Sequence, residues 1–223
     1  MTDWDSIIAS PHYAGKRIFP VTVEGERYWV KRAHRSGKRS AGLRDEVLAI
    51  AAVGRRGVRV PSVVHETDAY LVFTDLGETL QRHLENADAE ERLRCARMVG
   101  DVLRDLHRQG GWHGNAALRN LMFGGGRIGM IDFENAAHRW LSLTGRQAFD
   151  AWQVIHSLAQ FDEREALIGA FLERYRPAPR VLAWLRRMAW GLSPLLLLAP
   201  FARYLKRDFR QGVYGLRALL SRR

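Results

Sequence analysis

His113-Gly114-Asn115-Ala116-Ala117-Leu118-Arg119-Asn120, followed at short range by Ile131-Asp132-Phe133-Glu134, is the most informative segment of the chain. It is a polar loop between a long amphipathic run and a tight β-hairpin. Residues 121–123 and 127–133 are short apolar strands, and Gly124-Gly125-Gly126 is the turn between them. A hairpin this short fixes the separation of the groups at its ends, so the Asn120 carboxamide and the Asp132 carboxylate are expected side by side. Paired oxygens with open positions beside them suit Mg²⁺, which takes one or two protein oxygens and fills its other positions with phosphate and water. The competing reading is a hairpin whose Asn and Asp only cap loops.

The segment resembles the catalytic segment of the protein-kinase-like superfamily: His-Arg/Gly-Asp, four residues, Asn, a hairpin, then Asp-Phe-Gly. Asn120 stands five residues after position 115, as that pattern requires, and Asp132-Phe133 follows at hairpin distance. The His113-Gly114 opening and the Asp132-Phe133-Glu134 ending look more like small-molecule and sugar kinases. Among those, the compact bacterial lipopolysaccharide-core sugar kinases are nearest in size and style. The resemblance implies an α+β, bilobal protein-kinase-like fold. Residues 1–76 would form a small antiparallel-sheet N-lobe with one helix, and residues 77–223 a mainly helical C-lobe. It further implies ATP and Mg²⁺ as cofactors, with Asn120 and Asp132 as metal ligands. His113, position 115 and Asp132 would form the catalytic set. One departure matters: where the family carries the acid that accepts the substrate hydroxyl proton, this chain has Asn115.

Upstream, residues 18–23 and 27–32 alternate apolar and polar side chains around Glu24-Gly25-Glu26, a second hairpin. Lys31 sits in its apolar run Tyr28-Trp29-Val30. On the residues alone it is a strand-edge charge; by resemblance it is the lysine that grips the α- and β-phosphates. Its partner would then be Glu46, in a helix over 42–53 with Leu43, Val47, Ile50 and Ala51 on one face. Residues 58–64 and 69–74 are a further strand pair. Phe73-Thr74-Asp75-Leu76-Gly77 leaves the sheet where the resemblance places an adenine-binding hinge, which counts Asp75 among the cofactor-binding positions. The phosphate-covering loop is thin. Before the first hairpin there is only Gly15 and no Gly-x-Gly-x-x-Gly, although backbone approach to phosphate favours glycine.

Residues 87–109 form a long helix with Leu93, Ala96, Val99, Leu103 and Leu106 on one face. Further helices are expected over 143–161, over 163–175 and from 181. By resemblance Asp150, in the first of these, accepts the backbone N–H groups of the catalytic loop; read alone it is an exposed helix carboxylate.

The chain has 223 residues, enough for one domain of two lobes with a sizeable core. With 47% hydrophobic and 26% charged residues it is ordinary globular material. A single cysteine, Cys95, allows no internal disulfide and fits a reducing compartment. The acidic start Met1-Thr2-Asp3-Trp4-Asp5 lacks a secretory pattern, so a cytoplasmic protein is expected. The eight histidines show no metal-ligand spacing.

The net charge of +11 is unevenly placed. Residues 174–223 hold twelve Lys/Arg against the single acid Asp208, whereas residues 1–173 balance at 23 of each sign. An excess gathered in the last 50 residues calls for an anionic partner. Residues 188–202 carry no charge, but they fall short of the ~20 a spanning helix needs and are broken by Pro194 and Pro200. Beyond them Leu205, Phe209, Val213, Leu216 and Leu220 form one stripe, with Arg203, Lys206, Arg207, Arg210 and Arg217 on an adjoining face. A basic amphipathic segment over 203–220 suits an anionic membrane surface, on the inner face of the cytoplasmic membrane. The plainer reading is a C-terminal helix packed on its own lobe. Nucleic acid ranks below the membrane, because apolar residues threaded through the tail suit lipid better than a phosphate backbone.

Two functions lead, with a tRNA-associated small kinase ranked behind them. One is an ATP/Mg-dependent phosphotransferase acting on a sugar of a membrane-anchored glycolipid. The other is a nucleotide-binding pseudokinase that regulates or docks, since a neutral amide at 115 can orient a hydroxyl but cannot take its proton.

Overall fold

The computed structural model of the chain describes residues 2–33, 40–133, 140–161, 165–194 and 207–221; in the helices that begin at 40 and 207, side chains are described from 42 and from 211. The fold is α+β, an antiparallel sheet followed by a mostly helical remainder. Strands β1 (Ile18–Val23), β2 (Glu26–Arg32), β3 (Val63–Glu66) and β4 (Tyr70–Thr74) form a four-stranded sheet in the order β1-β2-β4-β3, every neighbour antiparallel. Period-two alternation sets its faces: Phe19 and Val21 are buried while Ile18, Pro20 and Thr22 are exposed. On β2 both Val30 and Lys31 are buried, one on each face.

Helix α1 (Trp4–Ala9) covers the Val30 face. Trp4 and Ile8 pack with Phe19, Val21, Val30, Tyr70 and Val72. The acidic start has a structural use, since Asp3 caps this helix by accepting from Ser6 N and Asp5 accepts the Tyr70 hydroxyl at 2.6 Å. Arg32 locks the following turn by donating to Ile8 O at 2.7 Å and Tyr13 O at 2.8 Å. The sheet region therefore carries two helices rather than the one expected. The second, α2 (Ser40–Gly54), supplies Ile50 and Val53 to the large core shared with the helical part.

The strand expected over 58–64 begins five residues later. Val58 is buried in the large core, and the Met130 amide donates to Arg59 O at 2.9 Å, so this apolar run joins the distal hairpin before it joins the sheet. After β4, β5 (Glu78–Thr79) adds to the hairpin β6 (Leu121–Gly124) and β7 (Arg127–Met130) in a second, three-stranded sheet. Gly77, at φ +108°, makes that junction possible: a β-carbon there would collide with the Phe123 carbonyl oxygen.

Helix α3 (Leu80–Asn86) is capped by Thr79, and α4 (Ala89–Arg108) by Asp88. Cys95, Ala96, Val99, Leu103 and Leu106 of α4 face the core, almost wholly buried. Against α4 pack α5 (Leu143–Leu158), at its edge, and α6 (Ala166–Tyr175); α7 (Pro179–Leu192) and α8 (Arg207–Ser221) pack on α5 and on each other. Of the C-terminal stripe, Val213 and Leu216 are buried and Leu220 is half-buried on this lobe; Arg203, Leu205 and Lys206, and the side chains of Arg207, Phe209 and Arg210, lie outside the described residues. The described part of the stripe is covered by protein, as in the plainer reading. No described helix is long and apolar enough to cross a membrane.

Candidate active site

The catalytic loop is held by one face of α5. Asp150, Gln153 and Ser157 recur at steps of three and four, so they project together from a helix that also turns polar Gln147 and apolar Ala148, Ala151, Val154, Ile155 and Leu158 inward. Gln147 Nε2 donates to His107 O at 2.9 Å and Gly111 O at 3.0 Å. Asp150 accepts the amides of His113 at 2.6 Å and Gly114 at 2.7 Å. Gln153 Oε1 accepts Ala116 N at 2.9 Å, and Ser157 Oγ accepts Leu118 N at 3.3 Å. The loop satisfies its other amides internally: Asn115 N donates to His113 Nδ1 at 3.1 Å and Ala117 N to Asn115 O at 2.9 Å. Every amide from 113 to 118 thus has an acceptor, which fixes a loop that has no regular structure of its own before the 3₁₀ turn at Leu118–Asn120.

Asp150 is fully buried, so its charge depends on these donors. A third comes from His107 Nε2 at 3.2 Å, whose Nδ1 meets the Tyr175 hydroxyl at 2.7 Å. With the carboxylate as acceptor, Nε2 carries the proton and Nδ1 accepts from Tyr175. Burial, and then the Asp150 charge, push the Tyr175 phenol upward, so it remains a donor.

The expectation that His113 acts in the cleft is corrected. Its ring is buried beneath the loop against Phe133, centroids 4.8 Å apart, and lines neither cavity beside the loop. Burial lowers its pKa, outweighing the opposing pull of Asp150 and Asp132. Its Nδ1 accepts from Asn115 N at 3.1 Å, so in this structure His113 positions the loop from beneath.

Between the two sheets lies a cleft of about 320 Å³. Ile50, Leu76, Met122 and Ile131 supply apolar walls, and Lys31, Glu46, Asn120 and Asp132 gather in it. Lys31 Nζ lies 2.9 Å and 2.8 Å from the two Glu46 oxygens and 3.4 Å from Asp132 Oδ1. Lys31 and Glu46 are both almost completely buried, so an edge charge and a solvated helix carboxylate are excluded. The hairpin brings both residues to the cleft. Leu121 pairs with Met130, and the Ile131 amide donates to Asn120 O at 3.0 Å, which sets positions 120 and 132 on one wall. Asn120 Nδ2 donates to Asn115 O at 2.9 Å, which leaves Oδ1 as the atom it can offer a cation. Asp132 has φ +64°, a left-handed conformation that costs an ordinary L residue about 1–2 kcal/mol and that Asp tolerates better than most. An amide oxygen, a carboxylate and a buried lysine beside an apolar slot fit a divalent cation and polyphosphate on one side and a flat base on the other.

Asp75 lines this cleft, but its carboxylate is committed. Oδ1 accepts Trp29 Nε1 at 3.1 Å and Gly77 N at 3.0 Å, and Oδ2 is 3.4 Å from Arg27 Nε. Its side chain braces the turn out of the sheet. Across the opening, the segment before β1 is α1, a 3₁₀ turn at Pro11–Tyr13 and Gly15; Arg17 and Ile18 then reach the cleft. Arg17 was not singled out by sequence, because a lone Arg before a strand carries no spacing signal.

Three side chains of the helical part, His83, Glu91 and Cys95, do meet, with ligand atoms within 4.8 Å of one another, contrary to the absence of metal-ligand spacing in the sequence. None of them lines the cleft. Arg94 already holds both Glu91 oxygens at 2.6 Å, and burial pushes the Cys95 thiol up to about 12, so the cluster is a salt-bridged knot.

The fold is protein-kinase-like, as comparison with solved structures shows. Residues 14–112 match APH, the phosphotransferase enzyme family. The match stops one residue before His113, so the loop is assigned from its own geometry. An uncharacterized protein of Haemophilus influenzae is 21% identical over 212 residues, 84% of each chain. The KEOPS complex subunit Bud32 of Pyrococcus abyssi is 32% identical over 112 residues, 47% of this chain and 51% of that protein. Among solved structures, WaaP in complex with acyl carrier protein superposes with a TM-score of 0.57 at 21% identity, covering 80% of this chain and 86% of that one. The macrolide 2′-phosphotransferase MphH of Brachybacterium faecium gives 0.53 at 14% identity, covering 89% and 88%. The gentamicin-APH(2″)-IIa complex gives 0.53 at 12% identity, covering 94% and 90%. The chain thus shares the kinase-like fold of these structures, and its residues 14–112 are similar to the phosphotransferase enzyme family.

Proposed function

We propose that the protein is an ATP- and Mg²⁺-dependent phosphotransferase that phosphorylates a sugar of a membrane-anchored glycolipid, of the lipopolysaccharide-core type. The observation that carries the nucleotide part is Lys31, buried between Glu46 and Asp132 in the cleft that Asn120 also lines. Lys31 would hold the α- and β-phosphates, with Glu46 keeping its ammonium in place. Asn120 and Asp132 would hold the divalent ion, which neutralises charge on the phosphate oxygens as the bond to the leaving group lengthens. The main chain at 73–77 faces the apolar slot where the base would lie. Supporting the acceptor class is the sequence resemblance to core sugar kinases. The basic excess of residues 174–223 supports work at an anionic surface, for which the described part of the apolar stripe is not available.

Asn115 sets the rate. Its Oδ1 accepts from Gln153 Nε2 at 3.3 Å and Arg119 Nη2 at 3.4 Å, a fixed amide that can orient an acceptor hydroxyl but cannot remove its proton. Transfer through a loose transition state needs positioning more than a base, whose loss costs about 10²–10⁴-fold. The same residue favours a second reading, a nucleotide-binding pseudokinase. Transfer of γ-³²P from Mg-ATP to purified core glycolipid separates the two. Slow labelling by the wild type, raised about 10²–10⁴-fold in Asn115→Asp, supports the enzyme. Labelling seen only in Asn115→Asp supports the pseudokinase, and no labelling by either removes the acceptor assignment.

A further inference from the structure

Helix α7 has two unlike faces. Val181, Leu185 and Ala189, at steps of four, are buried in the large core. On the opposite side Arg180, Ala183, Arg187 and Trp190, at steps of three, four and three, are exposed, with exposed Arg186 beside them. The charged residues of Pro179–Leu192 are these three arginines, so the outer face carries charge of one sign. It ends in an indole that is 72% exposed.

An exposed tryptophan or a solvated arginine is ordinary by itself. Their arrangement here is more specific. Arg186 and Arg187 stand four and three residues before Trp190, so on a helix their heads and the ring form one continuous patch. A phosphate-rich surface of lipid headgroups matches that patch. Guanidinium groups pair with phosphate while their stems lie along apolar surface, and an indole settles at the headgroup level with its ring toward the acyl chains. The apolar side chains gather at the end of α7, where Leu192 is exposed too and the chain enters its charge-free run over 188–202. A nucleic acid would also use the arginines and could stack a base on Trp190, but a charge-free run offers nothing to a phosphate backbone. The stripe over 203–220 does not compete for this role in its described part, since Val213 and Leu216 are covered by protein.

We infer that the outer face of α7, formed by Arg180, Arg186, Arg187 and Trp190, docks the protein on an anionic bilayer, with the guanidinium groups on lipid phosphates and the indole in the headgroup layer. The inference rests on the proposed function only for why the protein works at a membrane; the surface itself stands on α7. The test is co-sedimentation of the full chain, without nucleotide, with mixed phosphatidylglycerol–phosphatidylcholine vesicles and with pure phosphatidylcholine vesicles. The mixed vesicles are expected to bind at least about tenfold more tightly, an advantage that shrinks as salt rises. Arg186→Glu together with Arg187→Glu should lower partitioning into them about tenfold or more. Trp190→Ala should cost about threefold or more, in a part of the binding that salt does not screen. Arg55→Glu together with Arg97→Glu changes the net charge equally at exposed positions on other elements, and should stay within about threefold of the wild type. Every substituted side chain is exposed, so unchanged melting curves are expected to accompany these losses. No preference for the anionic vesicles, or equal losses in the two double variants, overturns the assignment. Transfer RNA binding that Arg186→Glu with Arg187→Glu abolishes, while vesicle binding persists, gives the face to nucleic acid instead. If the vesicles bind as expected but core glycolipid is not labelled, the docking surface stands and the acceptor reading falls; labelling without vesicle binding reverses the two.

Discussion

The two sides of the cleft between the sheets are built on different principles. On the catalytic-loop side, six consecutive amides are each assigned an acceptor, most of them buried, and the Asn120 and Asp132 positions are set by a four-residue hairpin ladder. On the phosphate-roof side, residues 10–17 are a short turn and one positive-φ glycine with open space around it, tied to the sheet mainly through Arg32. Where side chains must hold charge at fixed spacing the structure is over-determined. Where main chain would cover phosphate there are few constraints. Substrate positioning is thus concentrated in the floor of the site, and its disruption is expected to cost far more there than in the roof.

The largest effect falls on Asp150. Asp150→Ala strands two loop amides and the His107 Nε2 proton in a dry interior, and is expected to destabilise the fold by about 3–5 kcal/mol, read from urea unfolding. A loss below about 1 kcal/mol would mean the loop is not held from α5. Next is Lys31→Met, which removes a charge-assisted grip worth about 1.5–3 kcal/mol and should weaken Mg-ATP about 10–100-fold in a direct titration. The roof gives a smaller number. Gly15→Ala forces an L residue into φ +73° without a clash, so about 1 kcal/mol of stability and only a few-fold of nucleotide affinity are expected to go. A loss of affinity as large as that of Lys31→Met would overturn the contrast between floor and roof.

The gentlest is a pH response. Burial holds His113 below its ordinary 6.5, so as pH falls the unfolded chain binds a proton before the folded chain does. The neutral ring's contribution is complete above about pH 6.5 and declines as pH drops toward the folded value. Wild-type Tm should fall more steeply between pH 7 and 5 than that of His113→Gln; parallel slopes would show that His113 is not the group responsible.

The sequence made the floor legible and left the roof obscure for the same reason. Asn120, Asp132, Lys31 and Glu46 are polar or charged side chains that gather in one cleft, so residue type and spacing expose them. Asp150 was reachable only through family resemblance, yet a local signal existed: polar residues at 147, 150, 153 and 157, at helical spacing on a helix whose other buried residues are apolar or glycine. Gln153 and Ser157 were missed because an amide and a hydroxyl on a helix are ordinary unless one asks which backbone groups they serve. At Asp75 the hinge depends on main-chain groups, about which residue identity says little. Apolar periodicity showed that Val213 and Leu216 share a face, and Val58 and Val60 a run, but period does not reveal what covers an apolar surface. The lobe covers the first pair, and the core near the distal hairpin takes Val58.

The central claim is that Asn120 and Asp132 jointly hold a divalent ion on a bound nucleotide, and ATP affinity measured with and without Mg²⁺ tests it most directly. ATP is expected to bind the wild type at least about tenfold more tightly with Mg²⁺ than in EDTA, an advantage that Asp132→Asn largely abolishes. Equal affinity with and without the metal, or a Mg²⁺ advantage undiminished in Asp132→Asn, would contradict the account.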